Sequence, residues 1–406
     1  GSVFQDPRSQ FFTTNTTDEV AFGCENLAFP AQTIQKNVRD AFARLQIETL
    51  QNKSIFELSS GERQKIAIAS AYAMNPGIFV LDEPSANLDM QAAGTLTQLL
   101  ARLKSEGHTI IVSEHRLYYL MDLADRILYM ENGRIAQEWT RAQALAHSRA
   151  EIERKGLRLF DIDRLVLGRP RTQEASSVCS IKADGVCAEI NGKPILKGIS
   201  FSAGHWNGRI IGITGENGVG KTTLVKVLCG LLKEKAGTVY IEEKPLSRKK
   251  RAKETYFVMQ DADYQLFTES VADELKFGND KAAEIDATIE KTLSRLNLES
   301  YGECHPLSLS GGQKQRVTVA AAAVSEAKVL FFDEPTSGLD GKNMREVVSV
   351  FNHLAQHGRL IFVISHDIEF LAAACQRILY LKDGRINEDF LLDAGGLQKL
   401  KQLLLQ

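Results

Sequence analysis

A chain of 406 residues exceeds the roughly 250–300 at which one hydrophobic core stops growing, so two domains are expected. Its 49 basic and 51 acidic residues leave a formal charge of -2, which gives no electrostatic footprint for nucleic acid or an anionic membrane surface. No apolar run approaches the roughly 18 residues of a membrane span, and six scattered cysteines without a C-x-x-C pair argue against a zinc site or a disulfide framework and for a reducing compartment.

In chain order, Ser2-Val3-Phe4-Gln5 reads as the end of a strand. Ile78 to Leu81 and Thr109 to Val112 are apolar runs of strand length, the pattern of a parallel sheet covered by helices. Ala136 to Lys155, rich in Ala, Glu and Arg, predicts a helix, and residues 168–177 (GRPRTQEASS) have the composition of a linker. We therefore expect a first domain over 1–150, a linker over 151–178 and a second domain over 179–406. Beyond the linker, Ile210 to Thr214 is a β-branched strand leading into a glycine-rich loop, and Thr222 to Leu232 has helical apolar spacing. The basic run Arg248 to Lys253 predicts a solvated loop. Gly311 to Ala323 is expected to be helical, Val329 to Phe332 and Leu360 to Ile364 to be buried strands, and Leu397 to Leu405 to be a packing helix with Leu397, Leu400 and Leu404 on one face.

The two halves repeat each other. LSSGE at Leu58 answers LSGGQ at Leu309, the DEP ending at Pro84 answers that ending at Pro335, His115 answers His366, and NGRI at Asn132 answers DGRI at Asp383, each pair 251 residues apart. Nearer the front, Gln5 answers Gln260 and DEVAFG at Asp18 answers DELKFG at Asp273, both 255 apart, so a net four-residue difference lies between Gly23 and Leu58. Subtracting 255 from the glycine-rich loop places its counterpart ahead of residue 1, so the first copy is expected to lack roughly 75 residues, that loop included.

Gly215-Glu216-Asn217-Gly218-Val219-Gly220-Lys221-Thr222-Thr223 fits G-x-x-x-x-G-K-[ST]. Polyphosphate must be wrapped by backbone N–H groups at a helix N-terminus, which only glycine lets approach closely. Lys221 is expected to neutralise the β and γ phosphates and Thr222 to offer its hydroxyl to Mg²⁺. Asp333 and Glu334 close an apolar run, the first a candidate Mg²⁺ holder and the second a candidate general base.

LSGGQ at Leu309 followed by FFDEPTSGLD at Phe331 resembles the signature, Walker B and D-loop of the ATP-binding cassette superfamily, and the likeness runs over nearly the whole chain, twice. It implies an α/β fold: two tandem P-loop NTPase domains with mainly parallel sheets flanked by helices, plus a helical signature subdomain in each. It implies ATP hydrolysis, with ATP and Mg²⁺ as ligands. By this resemblance Gln260 is the Q-loop glutamine that senses the metal, and His366 is the switch histidine. Cassettes of this family pair head to tail, which implies that Ser59, Ser60, Gly61 and Glu62 cap the nucleotide held by residues 215–223. The converse site keeps Gln5 and Asp82 for metal, Glu83 and His115 for catalysis, and Ser310, Gly311, Gly312 and Gln313 opposite, and is expected to stay empty for want of a phosphate loop. Two departures stand out: LSSGE in place of LSGGQ, and no aromatic from Val186 to Pro194 to stack on adenine, Ile190 lying at about that place and Tyr256 too close to Gln260 to substitute.

The segments Val3 to Gly23 and Val258 to Gly278 resemble the Q-loop region of energy-coupling-factor transporter ATPases. The resemblance implies an energy-coupling subunit for import of a vitamin or transition metal ion, bound peripherally at the cytoplasmic face of the membrane. Its implied partners are a membrane scaffold subunit and a separate substrate-binding membrane subunit, with no nucleic acid, and Phe11, Phe12, Gln265, Leu266 and Phe267 are candidate scaffold contacts. The alternative is the soluble twin-cassette branch that acts on ribosomes, which would be expected to carry a long charged hairpin between its halves and a basic excess.

Overall fold

The computed structural model describes residues 1–86, 88–168, 179–204, 209–278 and 285–405. The chain divides into two compact units, Gly1–Asp163 and Arg164–Gln406. Apart from Gly168, the linker expected over 168–177 lies outside the described residues.

The first unit begins with β1 (Ser2–Val3), followed by helices α1 (Thr16–Asn26), α2 (Ala31–Arg44) and α3 (Ser60–Ala73). Then come β2 (Ile78–Asp82), α4 (Met90–Ser105), β3 (Thr109–Ser113), the hairpin β4 (Ile127–Glu131) and β5 (Arg134–Trp139), and two short helices, α5 (Arg141–Ala146) and α6 (Arg149–Arg154). Strands β1, β2 and β3 form a parallel sheet in that order. Phe79 and Leu81 turn one face of it into a core with Phe42, Ile66, Leu99 and Leu103 from the helices.

The helix expected over 136–155 is instead the end of a strand and two short helices. Trp139, buried with Ala144, Ile152 and Phe160, closes β5, and Thr140 and Ser148 each start a new helix with a capping box to Gln143 and Glu151. Caps of this kind override the Ala- and Glu-rich composition that suggested one continuous helix.

In the second unit an antiparallel layer contains β6 (Ile181–Ile190), β7 (Lys193–Ala203), β9 (Ala236–Ile241) and β10 (Lys244–Pro245), in the order β10-β9-β6-β7. Between these strands in sequence lie β8 (Ile210–Thr214) and α7 (Lys221–Leu228), and after them α8 (Arg248–Glu254) and β11 (Thr255–Val258). The chain continues through α9 (Val271–Lys276), α10 (Ile285–Arg295), α11 (Gly311–Val324), β12 (Val329–Asp333), α12 (Gly341–Gln356), β13 (Leu360–Ile364) and α13 (Ile368–Ala374). It ends with β14 (Arg377–Lys382), β15 (Arg385–Leu391) and α14 (Ala394–Leu405). The main sheet runs β11-β12-β13-β8-β14-β15, parallel except for the last pair. Leu400 and Leu404 bury the apolar face of α14 within this unit.

The basic run at 248–253 is not a loop. Its Arg251 is fully buried in α8 and pairs with Glu234 (Nη2 to Oε2, 2.6 Å) while donating to the Leu246 carbonyl at 3.0 Å. A paired guanidinium can enter a core that an unpaired one cannot.

The repeat survives in three dimensions: β2 and β12, β3 and β13, α3 and α11, and α4 and α12 start and stop 251 residues apart. Their surroundings differ. Val329, Phe331, Phe362, Leu379 and Leu381 lie in a core built with β6, β7, β8 and α7. Their equivalents Ile78, Val80, Ile111, Leu128 and Met130 are exposed in the first unit, Ile78 at 53% and Met130 at 63%. The apolar run Ile78 to Leu81 thus alternates outside and inside instead of being buried throughout.

Candidate functional site

In an open parallel sheet, ligands gather at the carboxyl ends of the strands, and the second unit places its motif residues there. β8 is buried along its whole length and delivers the chain to Gly215. Gly215 sits at φ 141°, and a Cβ there would lie 2.1 Å from the Leu381 carbonyl oxygen, so no other residue fits. Gly218 and Gly220 also have positive φ, and Gly220 caps α7 with no side chain, leaving the first N–H groups of the helix for an anion. Lys221, buried, curls over the loop and donates from Nζ to the carbonyls of Gly215 (2.7 Å) and Glu216 (2.8 Å).

Thr222 Oγ1 donates to Asp333 Oδ2 at 2.6 Å, tying the start of α7 to the end of β12. Burial pushes the Asp333 carboxyl above its usual range, against the Thr222 hydrogen bond and the charges of Lys221 and Lys226. A hydroxyl and a buried carboxylate in contact are hard oxygen donors of the kind magnesium takes, and a cation would favour the ionised acid, so the pair fits the expected metal.

Glu334, next in sequence, adopts φ 49°, and its N–H donates to Ile364 O at 2.9 Å. Its carboxylate accepts from the Ser365 hydroxyl (3.2 Å) and the His366 N–H (3.1 Å), with His366 Nε2 at 3.8 Å. Lys221, Thr222, Asp333, Glu334 and His366 are therefore brought together at this end of the sheet. Gln260 follows β11, whose last residue Val258 pairs with Phe332 of β12.

The first unit repeats part of this arrangement. Glu83 has φ 39°; it accepts from Gln5 Nε2 at 2.9 Å, and His115 Nε2 lies 3.2 Å from it. Asp82 is exposed where Asp333 is buried. Both signature serines are helix N-caps: Ser59 forms a capping box with Glu62 on α3, and Ser310 forms one with Gln313 on α11. The E-for-Q exchange thus keeps the cap. It also sets a charge at the helix N-terminus: burial would raise the Glu62 carboxyl, but the N–H and hydroxyl of Ser59 hold it below the usual range.

Of the proposed contact residues, Phe12 (73%) and Phe267 (65%) are exposed, stacked on Phe22 and edge-on to Phe277 respectively. Leu266 is buried and Phe11 packs on the first core, so these two serve the fold. Gln265 is a brace: it accepts from Met259 N–H (2.9 Å) and donates to Phe257 O (2.7 Å), fixing the loop that carries Gln260. Gln10 does the same for Gln5 through Phe4 N–H and Ser2 O. Sequence reasoning missed the role of Gln10 and of Ser365; for Gln10 the 255-residue repeat to Gln265 was an available signal.

The ABC transporter family profile matches residues 1–86 and 196–337. A Treponema denticola protein named as an ABC transporter ATP-binding protein is 44% identical over 393 residues, covering 95% of this chain and 79% of that one. The HMP/thiamine import ATP-binding protein YkoD of Bacillus subtilis is 30% identical over 436 residues, covering 100% and 79%. A chain from the structure of ribosome-bound archaeal Pelota and ABCE1 shares the fold with a TM-score of 0.72 at 21% identity, covering 99% and 67%. The phosphate loop, the acid pair and the duplicated sheet define an ATP-hydrolysing enzyme with two cassettes, and the chain belongs to the ABC transporter family. Among the described residues no helix is long and apolar enough to cross a membrane.

Proposed function

We propose that the chain is the energy-coupling ATPase of an energy-coupling-factor importer for a vitamin or transition metal ion, held at the cytoplasmic face of the membrane by a scaffold subunit beside a substrate-binding subunit. The observation that carries this reading is the 30% identity across the whole chain to a protein named for HMP/thiamine import. Phe12 and Phe267, exposed a few residues beyond Gln5 and Gln260, support it, because aromatic surface next to each Q-loop suits a docked helix. The archaeal likeness, at 21% identity, speaks for the fold alone.

In this reading the N–H groups of residues 215–223 wrap the phosphates and Lys221 balances their charge. Thr222, Asp333 and Gln260 would hold the magnesium that accompanies ATP, whose charge offsets that of the β and γ phosphates. Glu334 accepts a proton from the attacking water as its oxygen bonds to the γ-phosphorus and the bridging bond to the β-phosphate breaks, and His366 steadies the γ-phosphate. By the family pattern, Ser59 and Gly61 would cap a nucleotide held by the phosphate loop of a partner cassette.

Two measurements test this. Glu334→Gln and Ser59→Arg should each lower ATP turnover of the full chain by about 100-fold or more; an unaffected Ser59→Arg enzyme would show that each half works with another chain. Fractionation of cells expressing the tagged chain should find it with membranes, and recovery with ribosomes instead would sink the transport reading.

A further inference from the structure

The residue that follows β13 holds Glu334 from the side. Ser365 is fully buried, and its N–H donates at 3.3 Å to the carbonyl of Ile213 in β8, two residues before Gly215 opens the phosphate loop. Its Oγ accepts from the Asp367 N–H at 3.1 Å and lies 3.2 Å from Glu334 Oε2. One lone pair of the hydroxyl is thus taken, and a carboxylate can only accept, so the hydroxyl hydrogen is directed at Glu334. The His366 N–H holds the other oxygen, Oε1, at 3.1 Å. The plane of the carboxylate is fixed by two donors from one loop, while each oxygen keeps a lone pair to receive a proton. The backbone beneath it is set separately, by the Glu334 N–H on Ile364 O at 2.9 Å and a left-handed φ of 49°. Rotation of the side chain is what the Ser365 hydroxyl restrains.

The first cassette shows what a different residue does at the same place. Glu114 stands where the second has Ser365, and its Oε1 accepts the His115 N–H at 2.8 Å. Its Oε2 accepts from the Ser85 N–H (3.3 Å) and the Tyr119 hydroxyl (2.7 Å). The N–H that reaches the glutamate after the acidic strand end in one copy therefore goes to the neighbouring glutamate in the other. Glu83 is held instead by Gln5 Nε2 at 2.9 Å, with His115 Nε2 at 3.2 Å.

We propose that Ser365 is a positioning residue for ATP hydrolysis: its hydroxyl holds the Glu334 carboxylate at the angle from which it takes the proton of the attacking water. Ser365 keeps its own hydrogen throughout and has no part in the bonds made and broken. This rests on Glu334 as the general base proposed above.

A hydroxyl that aims a base differs from one that only fills space in what its loss changes. In the full chain with ATP and Mg²⁺, Ser365→Ala should lower kcat about tenfold or more and leave ATP affinity within about twofold. Ser365→Cys keeps the buried volume with a weak donor and carries the same expectation if the alanine chain does not fold. In a Glu334→Gln background the same change should cost no more than about twofold, because the base it serves is gone. An unchanged kcat overturns the proposal, as does a loss of affinity in step with kcat or an undiminished loss in the Glu334→Gln background. Glu334→Gln alone separates the two readings. If it keeps full turnover, the general base and this proposal both fall; if it loses turnover while Ser365→Ala does not, only the role of Ser365 is wrong.

Discussion

Gly215 and Gly218 look interchangeable in a motif, yet their surroundings separate them. Both have positive φ, but a Cβ at Gly215 would meet the Leu381 carbonyl at 2.1 Å, whereas at Gly218 it would meet open space. Gly218→Ala should cost only the left-handed penalty of about 1–2 kcal/mol and keep ATP binding. Gly215→Ala should cost more than that and abolish binding, because β8 and β14 must part to admit it. Urea denaturation and nucleotide titration of the two variants would check this order. Single residues were the most legible part of the sequence: Lys221 and Thr222 belong to a spacing that polyphosphate binding requires, Asp333 and Glu334 close an apolar run, and His366 was marked by the family resemblance. What could not be read were contacts whose partners lie far off in sequence, such as Ser365 on Glu334.

At the level of elements, α8 shows how tertiary pairing overrules composition. Six residues with five positive charges suggested solvent, but Glu234, 17 residues earlier, neutralises the one that turns inward. Arg251→Met should destabilise the second unit by about 3 kcal/mol in equilibrium unfolding, since it leaves Glu234 without its cation. Burial would raise the Glu234 carboxyl, but the hydrogen bonds and charge of Arg251 hold it low. The stability it contributes is therefore present above the unfolded value of about 4.3 and lost as pH falls through the lower folded one. Strands β8, β12 and β13 and helix α11 were readable from apolar runs. The break at Thr140 and Ser148 was not, because a capping box outweighs helix propensity only once the buried Trp139 has set the direction of the chain.

For the whole molecule, the two copies share strand register but not burial. Ile78 and Val329 are equivalent positions, one 53% exposed and the other wholly buried. Ile78→Thr should change stability by no more than about 0.5 kcal/mol, whereas Val329→Thr buries a hydroxyl and should cost about 1–3 kcal/mol. Amide exchange followed separately in each unit would register the difference. The duplication was legible because the repeat holds at 251 residues from Leu58 onward; the uneven burial was not, because alternating exposure depends on what packs against a sheet and not on its own residues. Both copies also hold the glutamate after the acidic strand end in a left-handed backbone, at 39° and 49°. Each costs about 1–2 kcal/mol out of the roughly 5–15 a domain has in hand. If Glu334 is the general base proposed above, heat tolerance and hydrolysis compete at that position, and a search for hardier variants would trade it away, for asparagine or glycine, before it touched the hydrophobic interior.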